Sequence, residues 1–197
     1  ELIPLLNTVV LNDKITRENK ISLFAQVIAD KEIINNHFEK IMLSIMVIEA
    51  AYPKDDIIML LRPDALTAKG NYEEAGKRLL EIVENRKENY FAWEKLLFVY
   101  LQAGDFENLE RKAEECAARF NRSFVAKLLY ATAATENRNY KVAGEELEKA
   151  AILAGNDNEM ILQVLSLKAD LFYRMNEYNK AFETFREALN RKKDDVT

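Results

Sequence analysis

An aromatic residue followed three positions later by an apolar or small one recurs along this sequence, as Phe38/Ile41, Tyr72/Ala75, Phe106/Leu109, Tyr140/Ala143 and Tyr178/Ala181. The aromatics are spaced 34, 34, 34 and 38 residues apart. A fixed period in this range marks stacked supersecondary units, each burying a face on the next. The four extra residues of the last step coincide with the turn-forming run Gly155-Asn156-Asp157-Asn158.

Each period has a mechanical reading. Before the aromatic stands a residue suited to a left-handed helix end, namely Asn36, Gly70, Gly104 or Asn176, with Arg138 as the exception. Asn71, Asp105 and Asn139 follow as candidate helix N-caps, and Asn71 with Glu74 approaches a capping box. From the aromatic onward, apolar or small residues fall at i, i+3, i+7 and i+10, as in Tyr72, Ala75, Leu79, Ile82 and again in Tyr178, Ala181, Phe185, Ala188. That spacing is one face of a helix. The period therefore predicts helix A, a tight turn, then helix B. With three prolines, five glycines and 49% apolar residues in 197, the expected fold class is all-α.

The residues Trp93, Leu96, Leu97 and Tyr100, followed by Gly104-Asp105-Phe106 and Leu109, resemble the tetratricopeptide repeat family at its fixed offsets. Leu165, Ala169, Phe172, Tyr178, Ala181, Phe185 and Ala188 match as well. The resemblance implies a right-handed α–α superhelix, a solenoid of five helix pairs at 22–55, 56–89, 90–123, 124–161 and 162–195. These form one domain over 1–197, with 1–13 as a truncated leading helix from a preceding repeat. The family's proline at the end of helix B is present only as Pro53, with Lys87, Asn121, Gly155 and Lys193 at the other equivalents. Glu32 stands where an aromatic or leucine is usual. Pro63 falls within a helix A and predicts a kink or restart near Arg62. From Trp93 to Thr197 the chain is also similar to long bacterial tetratricopeptide proteins of the cell envelope. That likeness implies further repeats in a longer array and a periplasmic or envelope location rather than a cytoplasmic one.

Catalytic chemistry finds little to work with. His37 is the only histidine, so no histidine dyad or His-rich metal site can be assembled, and a surface or capping role is expected for it. Cys116 is the only cysteine and lies in an alanine-rich run, as a small core residue would. The pairs Glu145/Glu146 and Asp194/Asp195 are adjacent in sequence and point apart on a helix. Phosphate loops, dinucleotide loops and zinc-protease motifs are missing from the sequence. The reading is a non-enzyme with no catalytic residue, cofactor or metal.

Charge and hydropathy narrow the partners. A net charge of −5 argues against nucleic acid, and the cluster Arg191-Lys192-Lys193 is followed by Asp194 and Asp195 as at a solvated helix end. The apolar run Ile41 to Ile48 is far shorter than the roughly 20 residues of a spanning helix. Burial between the leading helix and the next repeat is expected for it, with a contact surface as the alternative. No basic segment precedes an apolar core near Glu1, so no signal peptide is expected within these residues. Asn121-Arg122-Ser123 fits a glycosylation triplet, a pattern too common to weigh.

What remains is a surface. The resemblance implies a concave groove lined by helix A, which grips extended or helical peptides. Its positions carry over to Phe91, Glu94, Phe98, Leu101 and Gln102 in the third repeat. In the fourth they are Val125, Leu128, Thr132, Thr135 and Glu136, and in the fifth Gln163, Ser166, Asp170, Tyr173 and Arg174. Phe91, Leu101 and Leu128 fit core packing equally well. Arg174 is the one cation among these positions, so a carboxylate clamp is not expected. Apolar anchors with some positive charge suit the groove better. The expected function is a non-catalytic scaffold for a peptide or partner protein. The alternatives are self-association, as a dimer or by end-to-end stacking, and a regulatory part of a larger protein.

Overall fold

The computed structural model describes residues 2–194. The ends expected at Glu1 for the leading helix and at Asp195 for the last repeat lie outside the described residues. Among those described there are helices and no strands. In order they are α1 (Leu2–Leu11), α2 (Arg17–Ala29), α3 (Lys31–Ala51), a 3-10 turn (Ile58–Leu60), α4 (Leu61–Ala68), α5 (Tyr72–Asn85) and α6 (Tyr90–Ala103). Then come α7 (Phe106–Arg119), α8 (Phe124–Glu136), α9 (Tyr140–Ala154), α10 (Asn158–Arg174) and α11 (Tyr178–Asp194). The contacts group into two compact units, 1–99 and 100–197, with the division inside α6.

In the first unit α3 packs on α1, α2 and α4, and α4 packs on α5. Its core is built from branched aliphatics, including Leu6, Val10, Ile34, Ile41, Ile45, Ile48 and Ile58, around Phe24. In the second unit each helix from α7 to α10 packs on its successor. There the core is alanine-rich: Ala131, Ala134 and Ala143 with Leu147 and Leu171. Small side chains let neighbouring helices approach closely, and burying them costs little side-chain entropy.

The turns carry the period into the backbone. Gly70, Gly104, Arg138 and Asn176 all have positive φ, between 62° and 85°. In each case the next residue's N–H reaches back five residues to a carbonyl. These bonds are Asn71 to Leu66 at 2.8 Å, Asp105 to Tyr100 at 3.0 Å, Asn139 to Ala134 at 2.7 Å and Glu177 to Phe172 at 2.9 Å. This is the Schellman closure of a helix C-terminus. A Cβ at Gly70 or Gly104 would meet nothing within 4 Å, so glycine serves the backbone angle there and not a close contact. Arg138, the expected exception, takes the same conformation as the others.

Other expectations need correction. Asn36 is not left-handed. The chain breaks earlier, at Asp30, whose carboxylate accepts from the N–H groups of Glu32 and Ile33 at 2.9 and 3.0 Å. It then runs through Asn36 with only a bend at His37 (φ −130°, ψ 19°). The first helix pair therefore departs from the A–turn–B plan because Asp30 offers a stronger cap than Asn36 offers a stop. Asp105 caps α7 through Asn108 N–H at 3.1 Å, but Asn71 and Asn139 make no side-chain cap, and no capping box forms at Asn71. The restart expected near Arg62 is present: the 3-10 turn ends at Leu60 and α4 begins at Leu61, with Pro63 in its first turn, where a missing N–H is harmless.

The run from Ile41 to Ile48 is divided between two environments. Ile41, Ser44, Ile45 and Ile48 are buried, in a core shared with Leu6 and Val10 of α1, while Leu43 and Met46 are exposed. His37 is exposed and Cys116 is fully buried in α7. No helix of the described residues is long and apolar enough to cross a membrane.

Candidate functional site

Helix A of the third repeat is α6, which needs no help from its turn to present a mixed face. Trp93, Leu96, Leu97 and Val99 are buried, and the indole N–H of Trp93 donates to Lys87 O at 2.9 Å, fixing the start of the helix. The opposite face holds Phe91 and Phe98, 57% and 41% exposed, with Gln102 also exposed and Glu94 and Leu101 half-buried. Lys95 lies on the same face and reaches Asp64 of α4 at 2.7 Å. Burial raises the Asp64 carboxyl above its usual range, and Lys95 works against that shift.

In the second unit α8 and α10 bring three of the expected groove residues together. Arg174 donates to both oxygens of Glu136, at 2.9 and 2.6 Å, and its Nε donates to Asp170 at 2.9 Å. Desolvation pulls the Arg174 pKa down, but bonds to Asp170 and Glu136 outweigh it and leave the guanidinium pKa raised. Tyr173 is 59% exposed and meets Tyr178 edge to face, with centroids 5.6 Å apart. An open depression beside the fork is lined by Glu136, Arg138, Tyr140, Arg174, Met175 and Asn176.

One expected groove residue belongs elsewhere. Thr135 is buried, and its hydroxyl donates back to Ala131 O at 2.8 Å, so it offers nothing to a ligand. Leu128 is half-buried against the α8–α9–α10 core, so part of its side chain is spent on packing. Thr132 is half-buried and donates to Leu128 O at 2.9 Å, which spends its proton within the helix. Val125 is half-buried, while Gln163 and Ser166 are exposed on α10.

Sequence reasoning missed Asp64, Lys95 and Arg138. The first two could have been found by extending the i, i+3, i+4, i+7 face of helix A to its charged members. Arg138 carried no such signal, because its place at the depression follows from the left-handed turn. Lys127 was also missed: it is buried in α8, 3.2 Å from the buried Glu146 of α9, and donates to Ala117 O at 3.2 Å.

Among the described residues no group of histidine, cysteine and carboxylate side chains is placed to hold a metal. Each unit by itself sets exposed aromatics beside paired charges, Phe91 and Phe98 with Lys95 and Asp64 in the first and Tyr173 with Arg174, Asp170 and Glu136 in the second. Neither a protein-family model nor a curated protein sequence matches the chain. Solved structures do. MamA (residues 41 to the end) from Desulfovibrio magneticus RS-1 superposes with a TM-score of 0.70 at 15% identity, over 88% of this chain and 98% of that one. MamA of MSR-1 gives 0.65 at 14% identity, over 89% and 98%. A thermophilic TPR protein of Thermus thermophilus gives 0.63 at 14%, over 92% and 94%. At such identities the likeness is one of fold. The chain has an all-α helical solenoid fold of the tetratricopeptide type.

Proposed function

We propose that this chain is a non-catalytic scaffold that holds a peptide or partner protein on the helix A faces of its repeats, the concave groove that the tetratricopeptide fold implies. The observation that carries this reading is that each unit exposes aromatics beside carboxylates on an A helix, Phe91 and Phe98 with Glu94 in the first and Tyr173 with Asp170 and Glu136 in the second. Exposed aromatics in fixed positions are what anchors in an interface are made of.

The charge pattern supports a ligand class. The groove positions carry three carboxylates, Glu94, Glu136 and Asp170, and one cation, Arg174. That cation is already held by two of the three carboxylates. A ligand with apolar side chains and lysine or arginine between them fits, and an anionic terminus does not. Nucleic acid is outside this class for the same reason. An envelope location stays a proposal based on sequence resemblance, and fractionation of the source cells checks it.

Two substitutions test the groove. Phe98→Ala and Tyr173→Ala remove exposed rings, so circular dichroism and the unfolding midpoint should hardly change, while partners recovered in a pull-down are lost. If both variants retain the same partners, the groove has been placed on the wrong face.

A further inference from the structure

A cleft of about 540 Å³ opens in the first unit between the C-terminal halves of α3 and α5, with Arg62 of α4 also in its lining. Its apolar members are Met46, Pro53, Met59 and Ile82. Its charged members are Glu49, Glu81 and three arginines, Arg62, Arg78 and Arg86. Both walls lie inside the array. α3 packs on α1, α2 and α4, α5 packs on α4, and helices precede and follow them in the chain, so the opening does not come from either end of it.

The charges in the cleft are incompletely paired. Arg62 gives one terminal nitrogen to one oxygen of Glu49, Arg78 gives one to Glu81 at 2.9 Å, and Arg86 stands 3.9 Å from Asp56. None of these is the two-pronged fork that a guanidinium is shaped to make. Glu49 Oε1, Arg62 Nε and Arg78 Nε are buried without a hydrogen bond, three of five such side-chain atoms among the described residues. A polar atom left in that state has lost its hydration and gained nothing in return.

The internal repeat shows that the fold does not ask for these charges. Thirty-four residues on, Val83 and Leu96 take the places of Glu49 and Arg62, and both are buried. A buried ion pair is often no more stable than apolar side chains of similar volume. The pair of Glu49 and Arg62 therefore adds little to the packing of α3 on α4 that valine and leucine would not, and it keeps cations at the cleft.

We infer that the cleft binds an acidic and apolar peptide segment of a partner protein. A glutamate or aspartate of that segment bridges the arginines, and an apolar neighbour lies against Met46 and Met59. The sign of charge follows from the donors: arginines outnumber carboxylates in the lining, and Arg62, Arg78 and Arg86 keep most of their N–H groups uncommitted. The Nε–H groups are shielded from water, so the bonds they lack form when a guanidinium turns towards a guest carboxylate. Methionine, unbranched and polarizable, adapts to apolar guests of different shape. This guest is opposite in charge to the ligand of the groove, and the inference does not rest on the groove reading.

The test is fluorescence anisotropy of labelled peptides with the full chain. The probe is an octapeptide of alternating glutamate and leucine, and the controls carry glutamine or lysine in place of glutamate. The glutamate peptide should bind at least about tenfold more tightly than either control and weaken as salt is added. Glu49→Gln removes the carboxylate that competes for Arg62 and should tighten binding severalfold, a gain that a purely structural ion pair would not give. Glu49→Val with Arg62→Leu copies the pair at 83 and 96. It should keep helicity, unfold no earlier than the parent and lose at least about tenfold in affinity for the peptide. Phe98→Ala and Tyr173→Ala should leave that affinity unchanged. Equal binding of the three peptides, no tightening by Glu49→Gln, full binding by the double variant, or loss of binding in Phe98→Ala overturns the inference.

Discussion

Arg174 and Glu136 stand 38 residues apart in sequence and share two parallel hydrogen bonds, so the one cation among the groove positions is already committed. The relationship ties the ends of α8 and α10 together and decides the sign of charge left for a ligand. Forked guanidinium–carboxylate pairs are strong for their class, but this one is partly solvated, and such pairs add little to stability.

Glu136→Gln separates these effects. It leaves Arg174 with Asp170 alone. The unfolding free energy should fall by about 1 kcal/mol or less, as read by urea denaturation. The same variant should bind a lysine-rich apolar peptide more weakly and gain affinity for a peptide ending in a carboxylate. Added salt should shrink both differences. Unchanged preference between the two peptides would remove Arg174 and Glu136 from the ligand site.

The turns offer a stability test with two signs. Gly104 and Arg138 hold the same left-handed conformation at equivalent places. Gly104→Ala puts a Cβ on that conformation and should destabilise the chain by about 1 kcal/mol. Arg138→Gly removes one and should stabilise it by up to about 1 kcal/mol. Chemical denaturation reads both. Shifts of equal sign would mean that the two turns are not equivalent in energy, whatever their geometry.

The fold was legible because its period is written in residues with few alternatives. An aromatic every 34 residues, preceded by Gly70 or Gly104, leaves little but a helix hairpin. The first pair was less legible because two competing signals, Asp30 and Asn36, lie six residues apart, and side-chain capping at Asp30 wins. The site was only half legible. Helical periodicity places Phe91, Phe98 and Tyr173 on a face, but whether a residue such as Thr135 or Leu128 is covered depends on the neighbouring helix. Spacing can put Asp64 and Lys95 on helix A faces, but that they pair with each other across two helices depends on how those helices pack.

The buried pair of Lys127 and Glu146 links α8 to α9. Lys127→Met should cost about 2 kcal/mol, less than the roughly 3–5 kcal/mol of a fully stranded buried charge. The reason is that Lys149 remains 2.5 Å from the other oxygen of Glu146. Lys127→Met with Glu146→Leu should recover part of the loss, since no charge is then left buried. Equal losses in the single and double variants, measured by chemical denaturation, would show that the loss comes from the hydrogen bond of Lys127 to Ala117 O and not from a stranded Glu146 charge.

Asp55 sets a pH dependence in the first unit. Its carboxylate accepts from Arg17 Nε and, at 2.7 Å, from a terminal nitrogen of the same guanidinium. It also accepts from the N–H groups of Ile57 and Ile58 at 2.9 and 3.0 Å. The hydrogen bonds to Arg17, helped by those to Ile58 and Ile57, hold the carboxyl down to about 2 against an ordinary 3.8. As pH falls through about 4 the unfolded chain takes up the proton first, while the folded chain resists. The contribution is therefore whole above about 4 and is lost as pH falls toward 2. Asp55→Asn should be less stable than the parent at pH 7, and the gap between them should close within that window. Arg17→Met, which keeps the two backbone caps, should show most of the same closing. Unfolding midpoints measured from pH 7 down to 2 that stay parallel for parent and Asp55→Asn would show that Arg17 and Asp55 are neighbours without energetic linkage.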